Sequence, residues 1–148
     1  MSDLLRIFFP LEQDDDEYPP ASVETMWARA TNVSGEYVIE NIPIFAKSAT
    51  VGDVISVRRD AEGLCWLGSV VQKSKNSLIR VIMLERGLLP VVIGELQRLG
   101  CDLEHSNEFN VLAVSIPPEA ELAAVQRYLQ HEESAGRLGY EEPILWNT

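Results

Sequence analysis

From Ser77 onward the hydrophobic positions change period in an ordered way, and the change predicts strand, helix, strand, strand, helix, strand. The run over 78–84 reads as a strand, with Ile79, Val81 and Met83 on one face and Ile82 and Leu84 on the other. Gly87 and Pro90 then announce a helix, since proline is tolerated in a first turn. Leu89, Val92, Ile93, Leu96 and Leu99 follow at helical spacing, and Gly100 suits a helix end. Cys101 to His105 alternates like a half-exposed strand, and Ser106-Asn107-Glu108 has turn chemistry. A second strand is expected over 110–116. Pro117-Pro118-Glu119 is expected to open the second helix, whose stripe is Leu122, Val125 and Leu129 and which ends at Gly136. A last alternating strand covers 138–142.

This order is that of a ferredoxin-like βαββαβ motif. The strands over 78–84 and 110–116 are expected as central neighbours, apolar on both faces and parallel to each other. The helices near 88–99 and 118–135 should cover one sheet face. Asp102, Glu104, Glu141 and Glu142 mark the other two strands as edges. The uncovered face then requires either the N-terminal half or a second copy.

The first half lacks helical periodicity. Short strands are expected over 4–12, 25–31, 36–42, 54–58 and 64–72, with turns at Ser34-Gly35, Gly52-Asp53 and Asp60 to Gly63. The expected fold is therefore α+β: a β-rich, barrel-like module over 1–76, packed on a ferredoxin-like module over 77–148.

Composition narrows the functional classes. The 148 residues carry a formal net charge of −11, which disfavours nucleic acid and favours a cationic protein partner. No apolar run is long enough for a membrane span, and Met1 to Leu5 does not resemble a signal peptide. A cytoplasmic location is expected. Cys65 and Cys101 then read as reduced, buried thiols, the alternative being a disulfide between them.

Several segments together resemble a bacterial family of small proteins catalogued as a domain of unknown function. They are Leu11-Glu12, Asp16-Glu17-Tyr18-Pro19-Pro20, Glu24 and Trp27, Asn41-Ile42-Pro43-Ile44-Phe45-Ala46, and Gly52-Asp53-Val54. Leu99-Gly100-Cys101 and Ile116-Pro117-Pro118 extend the resemblance over most of the chain. It implies a soluble bacterial protein and brings no catalytic residues.

Candidate chemistry is sparse. Asp14, Asp15, Asp16 and Glu17 are consecutive carboxylates without the alternation and glycine of a calcium loop, so a solvated or partner-contacting loop is the expectation. Cys101 and His105 lie too far apart on a strand to share a zinc ion. With His105 and His131 as the only histidines and no nucleophile elbow or phosphate loop, no catalytic, metal or cofactor residue is assigned. Trp146 is the best aromatic interface candidate near the chain end. The leading expectation is a small acidic protein-binding factor, such as an inhibitor or immunity protein against a bacterial toxin, contacting its partner through Asp14 to Glu17 and Trp146. The alternatives are a module sensing a ligand between the halves, and an enzyme using carboxylates.

Overall fold

The structure, a computed structural model, describes residues 4–146. Among them are nine strands in two sheets and two α-helices, an α+β architecture. The chain divides into two compact units, Met1–Ser74 and Lys75–Thr148.

The first unit holds β1 (Leu4–Pro10), β2 (Val23–Ala30), β3 (Glu36–Ile39), β4 (Val54–Arg59) and β5 (Cys65–Gln72). They follow one another around a closed ring, joined where β1 meets β5 in parallel at Phe8 and Trp66. Alternation decides what the ring encloses: Ile7, Phe9, Met26, Ala28, Ile39 and Ile55 point inward and are buried. The β4–β5 hairpin is closed by Asp60, whose Oδ1 accepts the Glu62 and Leu64 N–H groups at 2.8 and 3.0 Å. Its Oδ2 accepts Trp66 Nε1–H at 2.9 Å. That bond is the main influence holding the Asp60 carboxyl below its ordinary range.

The second unit holds β6 (Ser77–Met83), α1 (Leu89–Arg98), β7 (Asp102–Ser106), β8 (Val111–Ile116), α2 (Leu122–Ser134) and β9 (Leu138–Ile144). The sheet order is β7-β8-β6-β9. Both helices pack on one face, where Val92, Leu96, Val125 and Leu129 meet Ile79, Val81, Leu112 and Val114. Both helices end alike. Gly100 and Gly136 take φ values of 93° and 76°. Gly100 N–H bonds Gln97 O and Cys101 N–H bonds Leu96 O, while Gly136 and Arg137 bond Glu133 O and Glu132 O in the same way. These are Schellman ends, which require the left-handed position that glycine adopts without steric penalty.

Four expectations need correction. The central strands β6 and β8 are antiparallel, with Ile79 opposite Val114 and Val81 opposite Leu112. The crossover through α1 leaves one strand's width between β6 and β7, and the β7–β8 hairpin runs β8 back into that gap, opposed to both. Next, β6 is not apolar on both faces. Arg80 is 4% exposed and ion-paired to Glu141 at 3.1 Å, while Ile82 and Leu84 are exposed. Third, α2 starts at Leu122 instead of Pro117. A residue before proline is steered out of the helical region, and residues 117–120 form a turn closed by Ala120 N–H on Pro117 O. Finally, Asn110 precedes β8 in a left-handed turn, φ 54°, with its Nδ2–H₂ donating to Met83 O at 2.8 Å.

Cys65 and Cys101 are both free and buried. Burial, then the neighbouring Asp102 carboxylate, pushes the Cys101 thiol from its ordinary 9.0 up to about 11. Burial, then Glu132, pushes the Tyr128 phenol up to about 12. In both cases the fold disfavours the ionised form. Their stabilising contribution is therefore full below the unfolded pKa values and is lost as pH rises toward the folded ones. The urea midpoint of the second unit should fall as pH rises from 9.0 toward 11, and Cys101→Ala should flatten the lower part of that fall. A flat midpoint across that range would rule the linkage out.

Candidate functional site

The acidic segment is the connection between β1 and β2, and it is an internally bonded loop. Asp14 N–H donates to Tyr18 O at 2.8 Å, and Glu17 N–H donates to Asp14 O at 3.0 Å. The Asp14 carboxylate turns onto the loop's own backbone, its Oδ1 accepting Asp16 N–H at 2.9 Å and Tyr18 N–H at 3.0 Å. Gln13 Nε2–H₂ bonds Pro19 O at 2.9 Å. Asp14 therefore acts as the loop's own cap, the role short carboxylates play in turns. Asp15, Asp16 and Glu17 are exposed, as is Asp14 itself. Glu17 sits at φ 59°, a left-handed position that costs a non-glycine residue about 1 kcal/mol. The surrounding bonds hold it there.

The loop is anchored below. Pro19 is buried, and the Tyr18 ring meets the Phe45 ring edge-on at 6.0 Å. Phe45 belongs to a segment held by Glu24. The Glu24 carboxylate accepts Ile44 N–H at 2.6 Å, Phe45 N–H at 2.9 Å and Ala46 N–H at 2.8 Å. Asn41 Oδ1 accepts Trp27 N–H at 2.7 Å, just beyond the end of β3. The buried Asp53 accepts Thr50 N–H at 3.0 Å and Ser74 N–H at 2.8 Å. Glu24, Asn41 and Asp53 thus serve as acceptors for backbone donors in loops, which gives each of these sequence signals a structural role. Reading single motifs misses this clamp, because its donors and acceptor lie about 20 positions apart in the chain.

Trp146 belongs to the other unit. Its backbone N–H donates to Ser77 Oγ at 2.8 Å, and Lys75 Nζ lies 6.0 Å from its ring centroid. With Ile116, Pro117, Pro118 and Leu122 it lines a cavity of about 70 Å³, room for no more than small solutes. Asp14 to Glu17 thus lie in the first unit and Trp146 in the second. Among the described residues, no group of three or more His, Cys, Asp or Glu side chains could hold a metal ion, and no helix is long and apolar enough to cross a membrane.

Comparison with known proteins places the chain. The profile of a family described as "Domain of unknown function (DUF4265)" matches residues 24–140. The match covers most of the chain, which belongs to this family. Asp14 to Glu17 and Trp146 lie outside the matched span. The chain is also similar to a solved structure described as "Novel crystal structure of a hypothetical protein from Neisseria gonorrhoeae". That likeness has a TM-score of 0.79 at 20% identity and covers 100% of this chain and 98% of the other. At this identity the likeness shows the fold alone. No curated protein matches the chain.

Proposed function

We propose that this member of the DUF4265 family is a cytoplasmic protein-binding factor that takes a cationic partner on its β1–β2 loop, as an inhibitor or immunity protein would take a basic toxin. The observation that carries this reading is the pre-ordered loop: Asp14 organises the backbone while Asp15, Asp16 and Glu17 remain exposed. A loop already ordered loses less entropy on binding than a flexible acidic tail would. The net charge of −11 adds long-range steering toward a basic protein. The closed five-strand ring supports a barrel-like reading of the first unit, and the order β7-β8-β6-β9 supports a ferredoxin-like reading of the second.

The test leaves Asp14 in place, since its removal would collapse the loop. Immobilised protein should retain a basic protein from cell extract at low salt and release it as salt rises. With that protein purified, Asp15→Asn/Asp16→Asn/Glu17→Gln should slow association by about tenfold at low salt and little at high salt. An unchanged association rate across ionic strength would remove the loop from the interface.

A further inference from the structure

The small cavity of the second unit joins two features that the acidic loop does not use, the Ile116-Pro117-Pro118 run and Trp146. Its walls are fixed before anything enters. Proline holds its own φ, and the turn after β8 is closed by Ala120 N–H on Pro117 O at 3.0 Å. Ile116 is held in the core between sheet and helices. The backbone at Trp146 is tied to the start of β6 by its N–H on Ser77 Oγ at 2.8 Å. A cavity framed in this way is pre-formed, so a ligand entering it orders little of the protein.

The lining combines apolar walls with hydrogen-bond donors. Ser77 is 2% exposed and borders the cavity. Its own hydroxyl proton reaches only Trp146 O, at 3.5 Å, well beyond the usual length for such a bond, so a closer acceptor would take it. Lys75 adds an ammonium with three donors. Its Nζ stands 6.0 Å from the Trp146 ring centroid, the outer limit of a cation–π contact. Among the described residues, no carboxylate is ion-paired to it. In a chain of net charge −11, this is a position where a negative group is attracted instead of repelled.

Size limits what can enter. One water-sized group takes up about 10–15 Å³, so a cavity of about 70 Å³ holds roughly five heavy atoms. We infer that the cavity binds a free short-chain carboxylate of the size of propionate. The carboxylate lies on Lys75 Nζ and Ser77 Oγ, and the alkyl end meets Trp146, Pro118 and Leu122. An inorganic oxyanion would set charged oxygens against those apolar walls. The C-terminus of a polypeptide would bring a peptide group that the volume does not hold. So few atoms make few contacts, and a dissociation constant of about 1–10 mM is expected.

Titration of the full chain with sodium propionate at constant ionic strength, followed by backbone and indole N–H resonances, tests the site independently of any cationic partner. The Trp146 indole signal, identified by its loss in Trp146→Phe, should shift saturably, while those of Trp27 and Trp66 should not. Propionamide has the same shape without the charge and should bind about tenfold more weakly. Lys75→Gln should weaken propionate by about fivefold or more, and Lys75→Arg should stay within about threefold of wild type. The same spectra report that each variant is folded. No saturable shift by about 100 mM would overturn the inference. So would an equal shift with sodium chloride, propionamide binding as tightly as propionate, indifference to Lys75→Gln, or tighter binding of N-acetylalanine, which stands for a chain terminus.

Discussion

Replacing Glu24 with alanine should destabilise the first unit by about 2–4 kcal/mol, the range for leaving backbone donors without a charged acceptor. One carboxylate receives the N–H groups of Ile44, Phe45 and Ala46. Alanine leaves all three to partial hydration in a loop whose Ala46 is 4% exposed. Glu24→Gln separates geometry from charge. The amide oxygen can replace Oε1 and keep Phe45 and Ala46, but the NH₂ group then faces Ile44 N–H, donor against donor. About half of the alanine effect is expected. Urea titration followed by tryptophan fluorescence in a Trp146→Phe background reports this unit, because Trp27 and Trp66 both lie in it. A loss under about 0.5 kcal/mol for Glu24→Ala would mean that the clamp contributes little. The acidic loop should loosen together with it, since Tyr18 rests on Phe45.

Leu129→Ala should cost the second unit about 3 kcal/mol, within the 2–5 kcal/mol range for core leucines. Leu129 is fully buried on the inner stripe of α2, against the face of the sheet that carries Ile79 and Val81. Backbone hydrogen bonding holds both helix and sheet in place, so the site cannot collapse around the smaller side chain. Leu122 is only partly buried, and Leu122→Ala should cost about a third as much. Both helices lie in the second unit, so the loss of the helical circular dichroism band with urea isolates the effect. Equal losses for the two substitutions would show that burial does not set the cost.

The kinds of element were legible wherever a period was strong. The continuous apolar run of β8 and the helical stripe of α2 could be read because a core imposes its pattern directly on sequence. Both Schellman ends were announced by Gly100 and Gly136, since few other residues accept those φ angles. The start of α2 was misread because two prolines after a strand look like a helix start, while local sterics place them in a preceding turn. The acidic loop was visible as a run of like charges. The capping role of Asp14 within it was not, because hydrogen bonding rather than residue type singles Asp14 out.

The sequence by itself determined the α+β composition, the order of the elements and the positions of the turns, since each depends on neighbours a few residues away. Only the tertiary structure decided the direction of β8 against β6, the burial of Arg80 and the clamp of Glu24 on Ile44 to Ala46. It also decided that Trp27, Arg6 and Phe8 share one outward face of the β1–β2 hairpin. Each of these depends on which distant segments are brought side by side, and strand pairing and long-range hydrogen bonds leave no periodic trace in the chain.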